Sequence, residues 1–188
     1  MFLRLIFISS LLLLQNVYAK EVAGITFAEQ IKAASSQQTL VLNGAGIRYK
    51  FIFKIYAAAL YVEQPTQTAD SILNHSGQKL LTLHILYDEI EKQAMIDAYI
   101  DGFKSNLNDD EYKALESKIN QLISLQKDYT TGDTLSFDYQ PNKGTDIIIN
   151  EQLQGTIQGS DFNKALLQIW IGKKPATNSL KNKLLGKK

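Results

Sequence analysis

The chain of 188 residues has no cysteine. This excludes disulfide bonds, thiolate metal sites and cysteine nucleophiles. Histidine is almost as scarce, since only His75 and His84 are present. Zinc sites usually need several His or Cys ligands, so we expect no metal. Neither a Ser-His-Asp set nor a Gly-rich phosphate loop leading into a helix is recognisable, and we expect no cofactor.

Residues 1–19 have the features of a signal peptide. Arg4 precedes an apolar run from Leu5 to Leu14, and the segment Val17–Ala19 has the small-x-small character of a cleavage site. We place the cleavage after Ala19. The apolar run is shorter than the roughly 20 residues that span a bilayer, and an uncleaved N-terminal anchor is the alternative. No second long apolar run follows, so we expect export, to a bacterial periplasm, with no membrane span after processing.

The charge of the chain does not indicate a nucleic-acid binder. The sequence has 20 Lys and Arg residues against 19 Asp and Glu residues. Arg4 is the only charged residue before Lys20, so the remainder carries equal numbers of both signs. Nucleic-acid-binding domains normally have a basic excess. A chain of this length fits one domain with one core, which we place at residues 20–188.

The order of hydrophobic patterns predicts strands, then helices, then strands and a last pair of helices. Asn43-Gly44 lies between two apolar runs, which predicts a hairpin turn at this pair. Apolar residues recur at helical spacing over residues 90–123, and short alternating runs follow over residues 133–157. Segregated blocks of this kind indicate an α+β fold, in which helices pack on one face of an antiparallel β-sheet.

The segment from Ile47 to Tyr61 carries a candidate binding surface. In a single strand its side chains would alternate between two faces. The face of Ile47 and Tyr61 is apolar and is expected to meet the core. The other face carries Arg48, Lys50 and Tyr56, a wall suited to an apolar ligand with an acidic head. A straight strand would separate Arg48 from Tyr56 by about 26 Å, so both can contact one head group only if the chain turns between them.

Simpler interpretations exist for these polar residues. The face of Arg48 can also be a solvated outer strand. His84 lies inside an apolar strand pattern and is interpreted as a histidine that packs in the sheet, since no base with an orienting partner is recognisable nearby. Glu89 and Glu91 precede a helix pattern, where the helix dipole explains acidic residues.

Two segments resemble a known family. The run LNGAGIRYKFIFKIYAAALYVE, residues 42–63, resembles the Gly-x-Gly-x-Arg…Lys-x-(Thr or Tyr)-Ala-x-x-(Leu or Val)-Tyr signature of the chalcone isomerase family. Residues 155–186 resemble the C-terminal helix, Gly-Lys turn and last helix of that family. The resemblance extends from about Val22 to Leu185. It implies an open-faced β-sandwich with a ligand cleft between the sheet and the helices.

The resemblance also implies roles for individual residues. Arg48 matches the catalytic arginine of the isomerases. Tyr56 stands where the isomerases have threonine and where the fatty-acid-binding members have tyrosine. Thr177 matches a threonine that follows the last conserved turn. The isomerases carry a Tyr–Asn pair on the first long helix, and no such pair is found here at the family's spacing, because Tyr87 and Tyr99 lie outside the expected register.

These matches favour a non-catalytic binder of a fatty acid or another apolar anionic small molecule, with Arg48, Tyr56 and Thr177 as ligand-binding residues. One alternative is an isomerase, an intramolecular lyase that acts on a chalcone-like enone. A second alternative is an assembly or interaction factor for another exported protein. The missing helix pair is the reason for placing the binder first, since ring closure needs oriented donors for the developing enolate.

Overall fold

The computed structural model describes residues 19–33 and 36–187 of the protein. The predicted leader lies outside these ranges, except for Ala19, which begins the first strand. The strands are β1 (Ala19–Val22), β2 (Ile25–Ala28), β3 (Gln30–Lys32), β4 (Thr39–Lys50), β5 (Phe53–Val62), β6 (Lys79–Ile85), β7 (Glu89–Ile90), β8 (Tyr129–Thr130), β9 (Thr134–Gln140), β10 (Gly144–Ile149) and β11 (Gln152–Ile157).

Seven of these strands form one antiparallel sheet at the centre of the fold. Their order is β11-β10-β9-β6-β5-β4-β3. β1 pairs with β2, and β7 pairs with β8, in two separate ribbons. In the central sheet each strand pairs with neighbours that are close in sequence, except where β6 meets β9 across the long helical segment. This is the arrangement expected when helices are inserted as a block between two runs of strands.

Five helices are described, and all of them contribute to one core on one face of the sheet. They are α1 (Ala69–Asn74), α2 (Lys92–Asn106), α3 (Asp109–Ser124), α4 (Ser160–Ile171) and α5 (Asn178–Leu184). Asn108 and Glu111 form a reciprocal capping box at the start of α3, with both hydrogen bonds 2.9 Å long. No helix in the described ranges combines the length and apolar character that a membrane crossing requires. The predicted α+β fold with helices on one face is confirmed.

The sheet has a hydrophobic core on each face. The larger core lies under the helices and contains Leu60 and Trp170. The smaller core lies on the opposite face, where the β1–β2 ribbon contributes Phe27 to a cluster with Ala57 and Tyr61. Strand β5 is therefore buried on both sides, which explains why its sequence contains the small residues of an Ala-rich run rather than alternating polar ones.

The expected facing of β5 needs correction. The sequence pattern assigns the face of Ala57 and Tyr61 to the main core, but these side chains pack in the smaller cluster. Tyr56, Ala58 and Leu60 face the helices instead. The end of the strand is apolar on both sides, so alternation alone cannot tell which face the helices cover.

The predicted turn at Asn43-Gly44 is wrong. Strand β4 continues through this pair, with a shift in register between Leu42 and Gly44 that marks a β-bulge. The turn of the hairpin lies at Phe51-Ile52, between β4 and β5. An Asn-Gly pair favours a turn through its local backbone preferences, and here tertiary contacts override that preference.

Asn43, Gly44 and Gly46 form the surface of β4 on which α5 packs, the seat of α5. The Nδ2 atom of Asn43 donates a hydrogen bond to the carbonyl oxygen of Leu184, at 2.7 Å. A Cβ atom at Gly44 would collide with the carbonyl oxygen of Lys183, and a Cβ at Gly46 would lie 2.6 Å from the Cβ of Lys183. The helix can approach β4 this closely only because both strand positions lack a side chain. The Gly-x-Gly motif therefore serves packing.

Gly44→Ala is expected to destabilise the fold by about 1–3 kcal/mol, because the new methyl group meets helix backbone that cannot rotate away. Urea denaturation followed by circular dichroism measures this loss. Gly155→Ala is a matched control in the same sheet, since its Cβ would meet only the side chain of Leu125, at 3.2 Å. Equal midpoints for the two variants would contradict the role of Gly44 in seating α5.

Candidate functional site

A cavity of about 460 Å³ opens between the β4–β5 hairpin and the helices α2 and α4. Small-molecule sites in proteins usually measure about 300–1,000 Å³. The wall is mainly apolar and includes Ile55, Leu83, Met95 and Ile169. A few polar side chains interrupt this lining, and they determine which ligand the cavity can accept.

The Phe51-Ile52 turn brings Arg48 and Tyr56 together. The two residues are direct partners in the antiparallel register of β4 and β5, and both line the cavity. The Cζ atom of Arg48 lies 5.8 Å from the centroid of the Tyr56 ring, a distance at which a guanidinium is attracted to an aromatic face. The chain therefore turns between Arg48 and Tyr56, as contact with one shared head group requires. The long separation that a straight strand would impose on the two residues does not apply.

Arg48 is the only arginine in the part of the chain that the structure describes. It is half-buried, and it forms no hydrogen bond or ion pair with any residue in those ranges. A guanidinium carries a positive charge and five N–H donors in a planar fork. The positive charge of Arg48 is therefore available to an anion that enters the cavity.

Tyr56 is buried and is held in place by Trp170. The Nε1 atom of Trp170 donates to the Tyr56 hydroxyl oxygen at 2.7 Å. This bond uses a lone pair of the hydroxyl, so the phenolic proton of Tyr56 stays available to a ligand. Burial raises the pKa of Tyr56, although the charge of Arg48 and the bond from Trp170 act in the opposite direction. The phenol is thus protonated at neutral pH and acts as a donor.

Tyr99 of α2 presents a second phenol to the cavity. Its hydroxyl is buried and has no hydrogen-bond partner among the described residues. Burial raises the pKa of Tyr99 well above its usual value, and the nearby phenols of Tyr129 and Tyr56 raise it further. A buried polar group without a partner costs about 1–3 kcal/mol, and such a group calls for a water or ligand that satisfies it. Tyr99 is therefore a third donor at the site.

The first long helix contributes the phenol of Tyr99 to the cavity. The family's spacing places Tyr87 and Tyr99 outside the expected register, yet both line the cavity. Asn106 of the same helix lies away from the cavity, and its side chain forms two hydrogen bonds with the backbone of Lys174, at 2.8 and 3.0 Å. The signal that identifies Tyr99 is the helical periodicity itself, which places it on the buried face beside Met95.

Thr177 does not line the cavity. Its hydroxyl oxygen accepts a hydrogen bond from the backbone N–H of Leu180 at 3.2 Å and caps the start of α5. The preceding residue, Ala176, does line the cavity. Three ligand-binding residues are predicted from the sequence. The structure brings Arg48 and Tyr56 together at the cavity, whereas Thr177 caps the start of α5.

The remaining titratable groups lie at the rim or elsewhere. Lys50, Glu89 and Glu91 line the cavity and are exposed, so they belong to its mouth. His84 lies on the opposite face of the sheet, where it packs edge-to-face against Phe27 with ring centroids 5.2 Å apart, and burial lowers its pKa. This is the packed histidine that the sequence indicates. Within the described ranges, no three His, Cys, Asp or Glu side chains come together to hold a metal ion.

Tyr99→Phe is expected to leave the free energy of unfolding of the ligand-free protein unchanged or to raise it by about 1 kcal/mol, because it removes an unpaired buried hydroxyl and keeps the ring. Urea denaturation provides the measurement. Tyr129→Phe is the control, since that hydroxyl donates to the Gln126 side chain at 3.0 Å, and its loss should destabilise by about 1 kcal/mol. A marked destabilisation by Tyr99→Phe would show that its hydroxyl has a partner in the fold.

Comparisons with known proteins agree with this architecture. The profile of the chalcone isomerase-like family matches residues 19–186. No curated protein matches the sequence. Among solved structures, a fatty-acid binding protein of Arabidopsis thaliana is similar, with a TM-score of 0.63 and 13% sequence identity, covering 84% of this chain and 96% of that chain. Likeness at this level of identity shows a shared fold. Because the profile spans nearly all of the described residues, the chain belongs to the chalcone isomerase-like family.

Proposed function

We propose that the protein is an exported binder of a fatty acid or a related apolar anion and that it does not transform its ligand. The observation that carries this proposal is a set of three donors, Arg48, Tyr56 and Tyr99, that have no acceptor among the described residues and line one mainly apolar cavity. Export rests on the signal-peptide character of residues 1–19.

The polar groups favour an anion over a neutral ligand. Arg48 supplies a full positive charge and a planar fork that binds a carboxylate through two parallel N–H···O bonds. Tyr56 and Tyr99 can each add one donor, and an ionised carboxylate has about four lone-pair positions to accept them. The raised pKa values of both phenols keep them neutral. They therefore attract a carboxylate without repelling its charge.

The rest of the cavity suits an acyl chain. Its wall consists of side chains such as Leu83, Met95 and Ile169, which offer dispersion contacts and no hydrogen bonds. Each buried methylene group contributes about 0.8 kcal/mol. Affinity is therefore expected to rise with the length of the acyl chain until the cavity is filled.

Two further facts support a binder. The Arabidopsis thaliana protein that shares the fold is described as a fatty-acid binding protein, and the tyrosine at position 56 agrees with the fatty-acid-binding members that the sequence resembles. At 13% identity, the likeness to the Arabidopsis thaliana protein is evidence for the fold alone. The donors of this chain carry the argument for its ligand.

Mass spectrometry of lipids that co-purify with the protein should identify a fatty acid or a similar anion. In titrations with fatty acids, Arg48→Ala is expected to weaken binding about 10- to 100-fold, since hydrogen bonds to charged groups contribute about 1.5–3 kcal/mol. Tyr99→Phe should weaken it about tenfold, although the same substitution does not destabilise the fold.

Lys54→Ala is the matched control for this titration. Lys54 is an exposed cation on the same hairpin, and it does not line the cavity, so this variant should bind fatty acids like the unmodified protein. The methyl ester of the same acid should bind poorly to every variant. Absence of any bound lipid, together with equal affinities for Arg48→Ala and Lys54→Ala, would refute the proposal.

One observation makes an isomerase the second candidate. Tyr99 restores a phenol from the first long helix to a cavity that already contains Arg48 and Tyr56. Three donor side chains that line one cavity can stabilise an oxyanion, and the enolate that develops during ring closure of a chalcone is such a species. The fold alone would not justify this candidate.

An isomerase would remove chalcone absorbance faster than the spontaneous reaction does. Loss of one donor to a developing oxyanion usually lowers kcat about 10²- to 10³-fold, so Tyr99→Phe should nearly abolish the excess rate. Lys54→Ala should retain it. A rate with the unmodified protein that equals the rate in buffer excludes this second candidate for chalcones.

A further inference from the structure

The tip of the β4–β5 hairpin carries an exposed apolar surface, part of which, at Tyr49 and Ile52, does not line the cavity. Six large apolar side chains are exposed among the described residues, and five of them lie on this hairpin or against it. These five are Tyr49, Phe51, Ile52, Phe53 and Tyr87. Phe51 and Ile52 are 89% and 84% exposed, and Phe53 packs edge-to-face on Tyr87 with centroids 5.7 Å apart. An exposed cluster of this kind marks an interaction site.

The backbone at the tip adds to this argument. Phe51 has a φ angle of 56°, in a two-residue turn closed by the pairing of Lys50 with Phe53. A turn with positive φ at its first central residue normally has glycine there, because a side chain makes this conformation unfavourable. Glycine would remove both the strain and the exposed ring. The phenylalanine thus points to a contact outside the fold.

Two cations flank the apolar tip. Lys50 and Lys54 are exposed, and neither forms an ion pair with a carboxylate in the described ranges. The hairpin therefore has apolar side chains at its end, lysines beside them and the tyrosines Tyr49 and Tyr87 on its flanks. This order matches the layers of a bilayer surface, where acyl chains meet apolar groups, the interface holds Tyr, and anionic head groups attract Lys.

A bilayer fits this tip better than a protein partner does. A stable protein interface buries about 800 Å² on each partner. A two-residue turn with a few side chains around it presents a narrow projection, well suited to insertion. The positive charge of Lys50 and Lys54 is also complementary to an anionic surface. A second copy of the same hairpin would repel it, because its own lysines carry the same charge.

We propose that the hairpin tip docks on an anionic lipid bilayer, with Phe51 and Ile52 at the acyl boundary and Lys50 and Lys54 at the head groups. Phe51, Phe53 and Lys50 also line the cavity, so docking brings the cavity mouth to the membrane surface. Glu89 and Glu91 lie on the other rim, before α2, and their repulsion from anionic lipid tilts the protein onto the hairpin. An acyl ligand can then pass between the bilayer and the cavity. This consequence rests on the proposed function, whereas the docking itself does not depend on it.

A tryptophan introduced at the tip tests this proposal directly. Ile52→Trp is suitable because Ile52 does not line the cavity. The native Trp170 is buried but lines the cavity, so the unmodified protein with the same vesicles gives the background to subtract. With phosphatidylglycerol vesicles the introduced indole should shift its emission to the blue and be quenched by brominated acyl chains. Leu153→Trp is the matched control, since Leu153 is exposed on β11, away from the hairpin, and should show neither effect.

Binding to the vesicles provides a second measurement. Ile52→Ser should weaken it about tenfold through the lost apolar insertion. The double substitution Lys50→Gln and Lys54→Gln should weaken it about thirtyfold, from roughly 1 kcal/mol for each cation near an anionic surface. Fatty-acid binding by Ile52→Ser, measured without vesicles, should equal that of the unmodified protein, so failure of docking and failure of the proposed function are distinguishable.

All measurements use the full chain, so that any lipid affinity of residues 1–18 is equal in the test and control variants. Equal responses of the indoles at positions 52 and 153 would overturn the proposal. So would vesicle binding that neither Ile52→Ser nor the double lysine variant reduces. Self-association that Ile52→Ser abolishes, without quenching by brominated lipid, would identify the tip as a contact between copies and also overturn it.

Discussion

The hydrogen bond from Trp170 to Tyr56 joins the helical layer to the sheet at the place where the cavity begins. It is 2.7 Å long and buried, and in such surroundings either group would be costly to leave unpaired. The bond fixes the phenol of Tyr56 beside the guanidinium of Arg48 and leaves the phenolic proton available to a ligand. The charge, the donors and the apolar wall form one site because α4 and β5 are tied together at this point.

The fold class was predictable from the sequence because its strongest signals are local. The helical periodicity of α2 and the alternation of β9 each depend on a few neighbouring residues, and each formed as expected. The turn between β4 and β5 was not predictable in the same way. Phe51 takes a positive φ angle without the glycine that would mark it, and the Asn-Gly signal lies at a pair that tertiary contacts hold extended.

The site was predictable in part for related reasons. Arg48 and Tyr56 follow from strand alternation and from the resemblance to the family, but their contact depends on a turn that the sequence places elsewhere. Tyr99 belongs to an apolar helix face, and only the packing of α2 against α4 decides that its hydroxyl is buried at the cavity wall without a partner among the described residues. The face of β5 that meets the helices is set by the whole assembly, because both faces are equally apolar.

The seat of α5 on β4 joins the last helix to an early strand. The hydrogen bond between Asn43 and Leu184 connects positions 141 residues apart. Contacts of such long range form late, since the entropy of closing the intervening loop opposes them until other structure is present. Until α5 packs against β4, Gly44 and Gly46 stay exposed to water. We therefore expect completion of the fold to wait for the last helix.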